Sequence, residues 1–289
     1  MDKISKSDEI VRAISGDGSV KLTAIYSRDM VERARGIHNT APTVTAALGR
    51  TLSATAMLGE MLKEDAASVT VRINGRGEIG SIICVSDSSG NARGYVQNPA
   101  ADPPRHPNGK LNVGLAVGTD GMLSVSRDFG YGEPYIGATA LVSGEIAEDF
   151  TAYLAESEQQ GCACALGVLV NGRGVLAAGG YIATLLPGAP EDAAERLERN
   201  IGALGTVTET LSSGTVDDLI AAVLDGFEPR VLERIPVEYR CTCSRERVLD
   251  AIAAISPEER AEITDADELT EVSCQFCDAV YNFEPHELD

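Results

Sequence analysis

Two short cysteine couples near the C-terminus constrain this chain more than any other feature. Cys241 and Cys243 form a C-x-C; about thirty residues on, Cys274 and Cys277 form a C-x-x-C. One turn of chain can aim each couple at a common point, which is how thiolates are presented to Zn2+ in a closed tetrahedral site. Four sulfurs leave no open position for a substrate, so the expected single zinc is structural. Thiolates are also what oxidants attack, so the same four residues admit a redox reading. Local pairing of Cys241 with Cys243, and of Cys274 with Cys277, closes the shortest loops. A one-residue spacer leaves extended Cα atoms roughly 6–7 Å apart, near the upper end of what a disulfide spans. Such bridges are feasible once the segment is slack, yet neither replaces the long-range tether of a metal. Oxidation is therefore expected to release zinc and unfold the segment.

Composition bounds the partners. Of 289 residues, 44% are hydrophobic and 24% charged, ordinary for a globular protein with a sizeable core. The formal net charge of −20 repels phosphate backbones and anionic membranes. Neither nucleic acid nor membrane is an expected partner. No run approaches the roughly eighteen to twenty apolar residues of a membrane span. Met1-Asp2-Lys3-Ile4-Ser5-Lys6 leads into charged sequence without the apolar centre of a secretory leader. An odd cysteine count without an export signal points to a reducing compartment, and the cytoplasm is the expected location.

Along the chain, residues 42–63 carry Val44, Leu48, Leu52, Met57, Leu58 and Met61 at helical spacing, with Thr40 as a start signal before Pro42. β-rich runs follow at 69–73, 79–85, 111–117, 122–127, 165–170 and 175–182. Asn74-Gly75-Arg76-Gly77, Gly118-Thr119-Asp120-Gly121 and Asn171-Gly172-Arg173-Gly174 read as hairpin turns between them. Ile146, Phe150, Tyr153 and Leu154 mark one helix face. The fold class is α+β: a core over residues 1–183 with a largely antiparallel sheet and packed helices. Residues 184–232 read as a helical linker. Ala194, Leu197, Ile201 and Leu204 make a narrow stripe, and Thr215 with Asp218 resembles a cap before Leu219, Ile220, Val223 and Leu224. So sparse a stripe depends on neighbours for its burial. Residues 233–289 form the small C-terminal zinc-binding module. Ser244 caps a helix carrying Val248, Leu249, Ile252 and Ile255, and Ser256-Pro257-Glu258-Glu259 starts another. With so few large apolar residues, the module needs its metal to fold.

Several other features carry blander readings. Arg240, Arg245 and Arg247 crowd the first couple and Cys243 precedes a helix N-terminus. Both features favour thiolates, and the arginines offset the charge of a tetrathiolate. Gly75-Arg76-Gly77-Glu78-Ile79-Gly80 fits G-x-G-x-x-G, but β-rich sequence follows it, so a turn is expected and not a dinucleotide. His38, His106 and His286 fall in no catalytic pattern and read as surface or loop imidazoles. Cys84 reads as a small buried hydrophobe, Cys162 and Cys164 as strand thiols. No catalytic residue is expected.

The cysteine pattern, at the end of an acidic chain of this length, resembles that of the heat shock protein 33 family. Gly94-Tyr95-Val96-Gln97-Asn98-Pro99 is similar to a family segment after the early strands. Ser143-Gly144-Glu145-Ile146-Ala147-Glu148-Asp149, followed by Ser157-Glu158-Gln159, resembles its central helix signature. Ala165-Leu166-Gly167-Val168-Leu169-Val170 and Cys241-Thr242-Cys243-Ser244-Arg245-Glu246-Arg247 extend the likeness over nearly the whole chain. The resemblance implies an ATP-independent holdase of the stress response, compact and inactive while reduced and zinc-bound. Hypochlorous acid, or peroxide with heat, would oxidise Cys241, Cys243, Cys274 and Cys277, eject zinc and unfold the module with its metastable linker. The implied active form is a homodimer that binds unfolding client proteins. Cys162 and Cys164 stand where the family usually has small or apolar residues and a proline.

Three rival classes remain open on the residues alone. A nucleic-acid-binding zinc module needs a basic face, whereas residues 258–271 are strongly acidic. A zinc enzyme needs an open coordination site with a general base, and four thiolates supply neither. A thiol-disulfide oxidoreductase would use one C-x-x-C on a helix N-terminus in a βαβ setting, not two couples sharing a metal.

Overall fold

The computed structural model describes residues 7–159, 161–256 and 269–288, and the chain divides into two units between Tyr239 and Arg240. In the first unit β1 (Glu9–Ile14) and β2 (Val20–Tyr26) pair as a hairpin, and α1 (Arg28–His38) leads into α2 (Pro42–Glu60). Then come β3 (Ser68–Asn74), β4 (Ile82–Asp87), β5 (Ala92–Val96), the short α3 (Val113–Val117), β6 (Met122–Asp128), β7 (Tyr135–Ala140) and α4 (Ala147–Glu156). β8 (Cys162–Asn171) and β9 (Gly174–Leu185) form a long hairpin, followed by α5 (Ala193–Ala203), α6 (Val207–Ser213), α7 (Val216–Val223) and β10 (Arg230–Pro236). The architecture is α+β, with two five-stranded antiparallel sheets in the orders β10-β1-β2-β9-β8 and β5-β4-β3-β6-β7.

Helix α2 explains how two sheets share one core. It touches β3, β4 and β5 of one sheet and β2, β8 and β9 of the other. Seventeen of its 19 residues are buried, so it lacks the charged solvent face of an amphipathic helix, and its two charged residues, Arg50 and Glu60, are paired with Glu145 and Arg12. Four of its five small hydroxyl residues satisfy themselves by bonding back one turn. Thr45, Thr51, Ser53 and Thr55 donate to the carbonyls of Ala41, Ala47, Gly49 and Thr51 at 2.7–3.0 Å. Gly49 has no room for more: a Cβ there would lie 2.6 Å from Val31 and 2.8 Å from Val168.

The helices of residues 184–232 cover the other face of the first sheet. Leu197, Val207, Leu211, Val216, Leu219, Ile220 and Val223 are buried against Val11, Leu22, Ala24 and Tyr181. α6 and α7 open with capping boxes, Thr206 with Glu209 and Thr215 with Asp218. Gly179 lets this layer close in: its φ is +153°, and a Cβ would sit 2.2 Å from the Ile25 carbonyl and 2.7 Å from Leu211.

Some sequence expectations change. Residues 111–117 do not form a strand: Asn112 accepts a hydrogen bond from the Leu115 amide and caps α3, and β6 pairs with β3 and β7 instead. Residues 79–81 belong to the turn before β4, where Gly75 and Gly77 abut the backbone of residues 116–118 too closely for any side chain. Ala41, not Thr40, takes the N-cap of α2, and Thr40 bonds the Thr45 hydroxyl. His38 is no loop imidazole; it ends α1 and lies 3.0 Å from the Gly94 carbonyl. The expected helix start at Ser256 lies at the edge of the described residues, with 257–259 outside them.

Candidate metal centre

The second unit is built around sulfur. α8 (Arg245–Ala253) begins two residues after Cys243, with Ser244 as N-cap accepting from the Arg247 amide. β11 (Thr270–Ser273) and β12 (Val280–Phe283) pair as a two-stranded hairpin, and the turn joining them carries Cys274 and Cys277. That turn is tightly bonded: the Cys277 and Asp278 amides donate to the Cys274 carbonyl, and the Cys274 amide donates to Ala279. Asp278 takes a left-handed φ of +57°, which short polar side chains tolerate, and this reverses the chain within four residues.

The two couples meet. Cys241 Sγ lies 3.7 Å from Cys274 Sγ, and Cys243 Sγ 3.4 Å from Cys277 Sγ. All four sulfurs fall within 4.8 Å of one another. Metal–sulfur bonds of about 2.3 Å in a tetrahedron put the sulfurs about 3.8 Å apart. Both the spacing and the donor set therefore fit a metal centre. All seven cysteines are free thiols.

Electrostatics supports the same use. Burial raises the thiol pKa of Cys243, but the Tyr281 hydroxyl donating at 3.1 Å and the neighbouring thiols outweigh it, bringing Cys243 down to about 7. Cys241 and Cys277 are instead pushed up, first by burial and then by donating to their neighbours. Four clustered thiols cannot all ionise without a cation, which is what a bound metal supplies. Tyr281 was not visible as a site residue in the sequence. Its signal is modest: it lies four residues past Cys277 on the returning strand.

The arginines serve structure. Arg245 makes a forked ion pair with Glu287 and stacks 4.3 Å over the Phe283 ring. Arg247 donates to the carbonyl and hydroxyl of Thr242, fixing the chain between the first two cysteines. Around them the apolar core is minimal: Ile252, Phe283 and Leu288 are buried, with Val248, Leu249, Val272 and Tyr281 partly so.

The other thiols lie apart. Cys84 is fully buried in β4, and burial raises its pKa strongly. Cys162 and Cys164 lie on β8 against the main core; burial lifts Cys162 to about 11 and Cys164 further. A tenfold loss of thiolate accompanies each unit of pKa. At pH 7, iodoacetamide is therefore expected to label these three at least about 100-fold more slowly than a free thiol. Mass mapping of the labelled peptides checks this, and rapid labelling of Cys164 would refute it.

The family model described as Hsp33 protein matches residues 8–284. The 33 kDa chaperonin of Clostridioides difficile is 47% identical over 282 residues, 97% of each chain. That of Symbiobacterium thermophilum is 44% identical over 284 residues, covering 98% of this chain and 96% of its own. The crystal structure of the Thermotoga maritima 33 kDa chaperonin, a heat shock protein 33 homologue, superposes with a TM-score of 0.89 at 32% identity, covering 98% and 97% of the two chains. Among the described residues no helix is long and apolar enough to cross a membrane. With that match over nearly its whole length and four clustered cysteines at its end, the chain belongs to the Hsp33 family of redox-regulated cytoplasmic chaperones, which bind unfolded proteins and are not catalysts.

Proposed function

We propose that Cys241, Cys243, Cys274 and Cys277 hold one Zn2+ in the reduced protein and are its redox switch. On this reading residues 1–183 are the chaperone core, 184–232 a metastable linker and 233–289 the switch module. Oxidation joins Cys241 to Cys243 and Cys274 to Cys277. For each disulfide, two thiolates give up two electrons to one peroxide, which takes two protons from solvent and leaves as two waters. Sulfurs joined this way no longer bind the cation, so the module and the linker unfold. The protein then dimerises and holds unfolding clients without ATP or nucleic acid.

The observation that carries this reading is the meeting of four thiols within 4.8 Å in a unit with three buried apolar side chains among its described residues. Such a core is too small to fold alone, so whatever removes the metal removes the fold. The linker adds a second support. Its helices hide an apolar sheet face, and their departure exposes both surfaces to a client, while the net charge of −20 keeps the complex soluble.

The resting distances favour a second disulfide pattern, because the shortest separations join Cys241 to Cys274 and Cys243 to Cys277. Those bridges would tether the two couples and preserve the module. Peptide mapping of the oxidised protein separates the patterns, and the switch requires the local pair.

The function is tested by following aggregation of a heat-unfolding protein with reduced and with peroxide-treated chaperone. Protection by the oxidised form alone is expected. Equal protection by both would rule out a redox switch, and catalytic reduction of insulin would instead favour an oxidoreductase.

A further inference from the structure

β10 is the outermost strand of the first sheet, and Ile235 is its one side chain packed against the core. Residues 230–234 are all exposed, Val231 at 46% and Leu232 at 59%. Behind it on β1, Ile10, Val11 and Ala13 are fully buried. The pairing is also imperfect. Arg12 stands opposite Glu233 and Ala13 opposite Val231, so Leu232 is an extra residue in the ladder.

The side-chain ties across this edge are ion pairs at the surface. Arg12 pairs with Glu233, and Arg234 reaches both Glu9 on β1 and Asp217 on α7. One tie therefore runs to the linker and disappears when the linker unfolds. Beyond the strand, Val237 donates its amide to Asp8, and the Tyr239 hydroxyl bonds the Gly94 carbonyl at 3.0 Å. Tyr239 is two residues from Cys241, so the end of β10 is chained to the switch itself.

We infer that the β1 edge now covered by β10 is a client seat, on which an extended segment of an unfolded polypeptide adds as the outer strand once β10 lifts away. This rests on the proposed unfolding of 184–232 and 233–289. With both flanks unfolded, β10 is a short strand between two free chains, and holding it costs conformational entropy its surface contacts do not repay. β1 remains, buried on its inner face and paired along its length with β2. It then presents a row of open N–H and C=O groups. Main-chain pairing of this kind reads an extended backbone and not a side-chain sequence. The present occupant shows nearly the same indifference, since of its side chains only Ile235 packs against the core. An unfolded chain of any sequence fits; a folded partner does not.

The test is hydrogen exchange on the full chain, reduced and peroxide-oxidised, with and without reduced, carboxamidomethylated lysozyme as a permanently unfolded basic polypeptide. On oxidation, the β1 amides that pair with β10 are expected to exchange at least about tenfold faster, and to regain protection when the lysozyme is added. A synthetic peptide of residues 230–236, added in trans, is expected to displace the lysozyme. Three results would overturn the inference. The β1 amides stay protected while client binds; or they open and the client does not protect them; or protection returns with protein concentration alone, the mark of a second copy's strand. Aggregation assayed on the same samples keeps the two claims apart. If the oxidised protein fails to protect, the switch falls; if it protects while β1 shows any of those results, only the seat falls.

Discussion

Chelating the metal from reduced, zinc-loaded protein is expected to unfold the module of residues 233–289 together with its linker, while the core before residue 184 keeps its structure. Structural zinc contributes on the order of 10–16 kcal/mol to the folding of small modules. The three buried apolar side chains among the described residues of this unit, Ile252, Phe283 and Leu288, bring roughly 1.5–3 kcal/mol each. The hairpin, the Arg245–Glu287 fork and the Ser244 cap refine the fold, but the metal decides whether it exists. The core before residue 184 has no such dependence, because α2 and the sheets around it bury a continuous hydrophobic cluster. Backbone NMR of isotopically labelled protein reads both halves at once. Resonances of Val272, Tyr281 and Phe283 should collapse to unfolded positions on chelation, while those of Val44, Leu52 and Phe150 stay. Cys274→Ser should reproduce the effect without a chelator. A metal-free protein that kept its hairpin resonances would show that the cysteine cluster is not what holds the unit together.

The site was more legible than the fold around it. Cysteine spacing is a local signal, and the two couples needed only a helix, marked by Ser244, and a short hairpin to converge. The hairpin of β8 and β9 and the burial of Phe150, Tyr153 and Leu154 were likewise written in local pattern. What failed was long-range or short. β1 and β2 carry charges among their apolar residues and gave no run worth reading. β10 offers no alternation, because residues 230–234 are all exposed and only Ile235 packs against the core. Residues 111–117 alternate like a strand, but an Asn cap and five residues sufficed for a helix, too short for its period to register. One expected sheet became two because α2, rich in Ala, Thr and Ser, is a central helix and not a covering one.

Replacing Asp149 with alanine is expected to destabilise the first unit by about 3–5 kcal/mol, the scale of removing one partner from a buried charged network. Asp149 is fully buried at the start of α4. One carboxylate oxygen accepts from the amides of Val142, Ser143 and Gly144 at 2.7, 3.1 and 3.3 Å, and the other from Ile146 at 2.9 Å. Those amides are the orphan donors of a helix start and the loop before it. They hold the loop in a shape it would otherwise avoid: Ile146, a β-branched residue, has a φ of +74° with its side chain fully buried. Next to it, Glu145 accepts from the Gly114 amide and pairs with Arg50 of α2, so the loop also ties α3 to the central helix. Truncating Asp149 strands four donors at once and frees the strained residue they restrain. Asp149→Asn keeps an oxygen for the three-amide side but turns an NH2 toward Ile146, so its cost should be smaller, about 1–3 kcal/mol. Thermal unfolding of both variants in the reduced, zinc-loaded state measures the order. Equal midpoints for alanine, asparagine and the parent would mean that water replaces the carboxylate without loss. The Ser-Gly-Glu-Ile-Ala-Glu-Asp segment would then need another physical reason for its sequence.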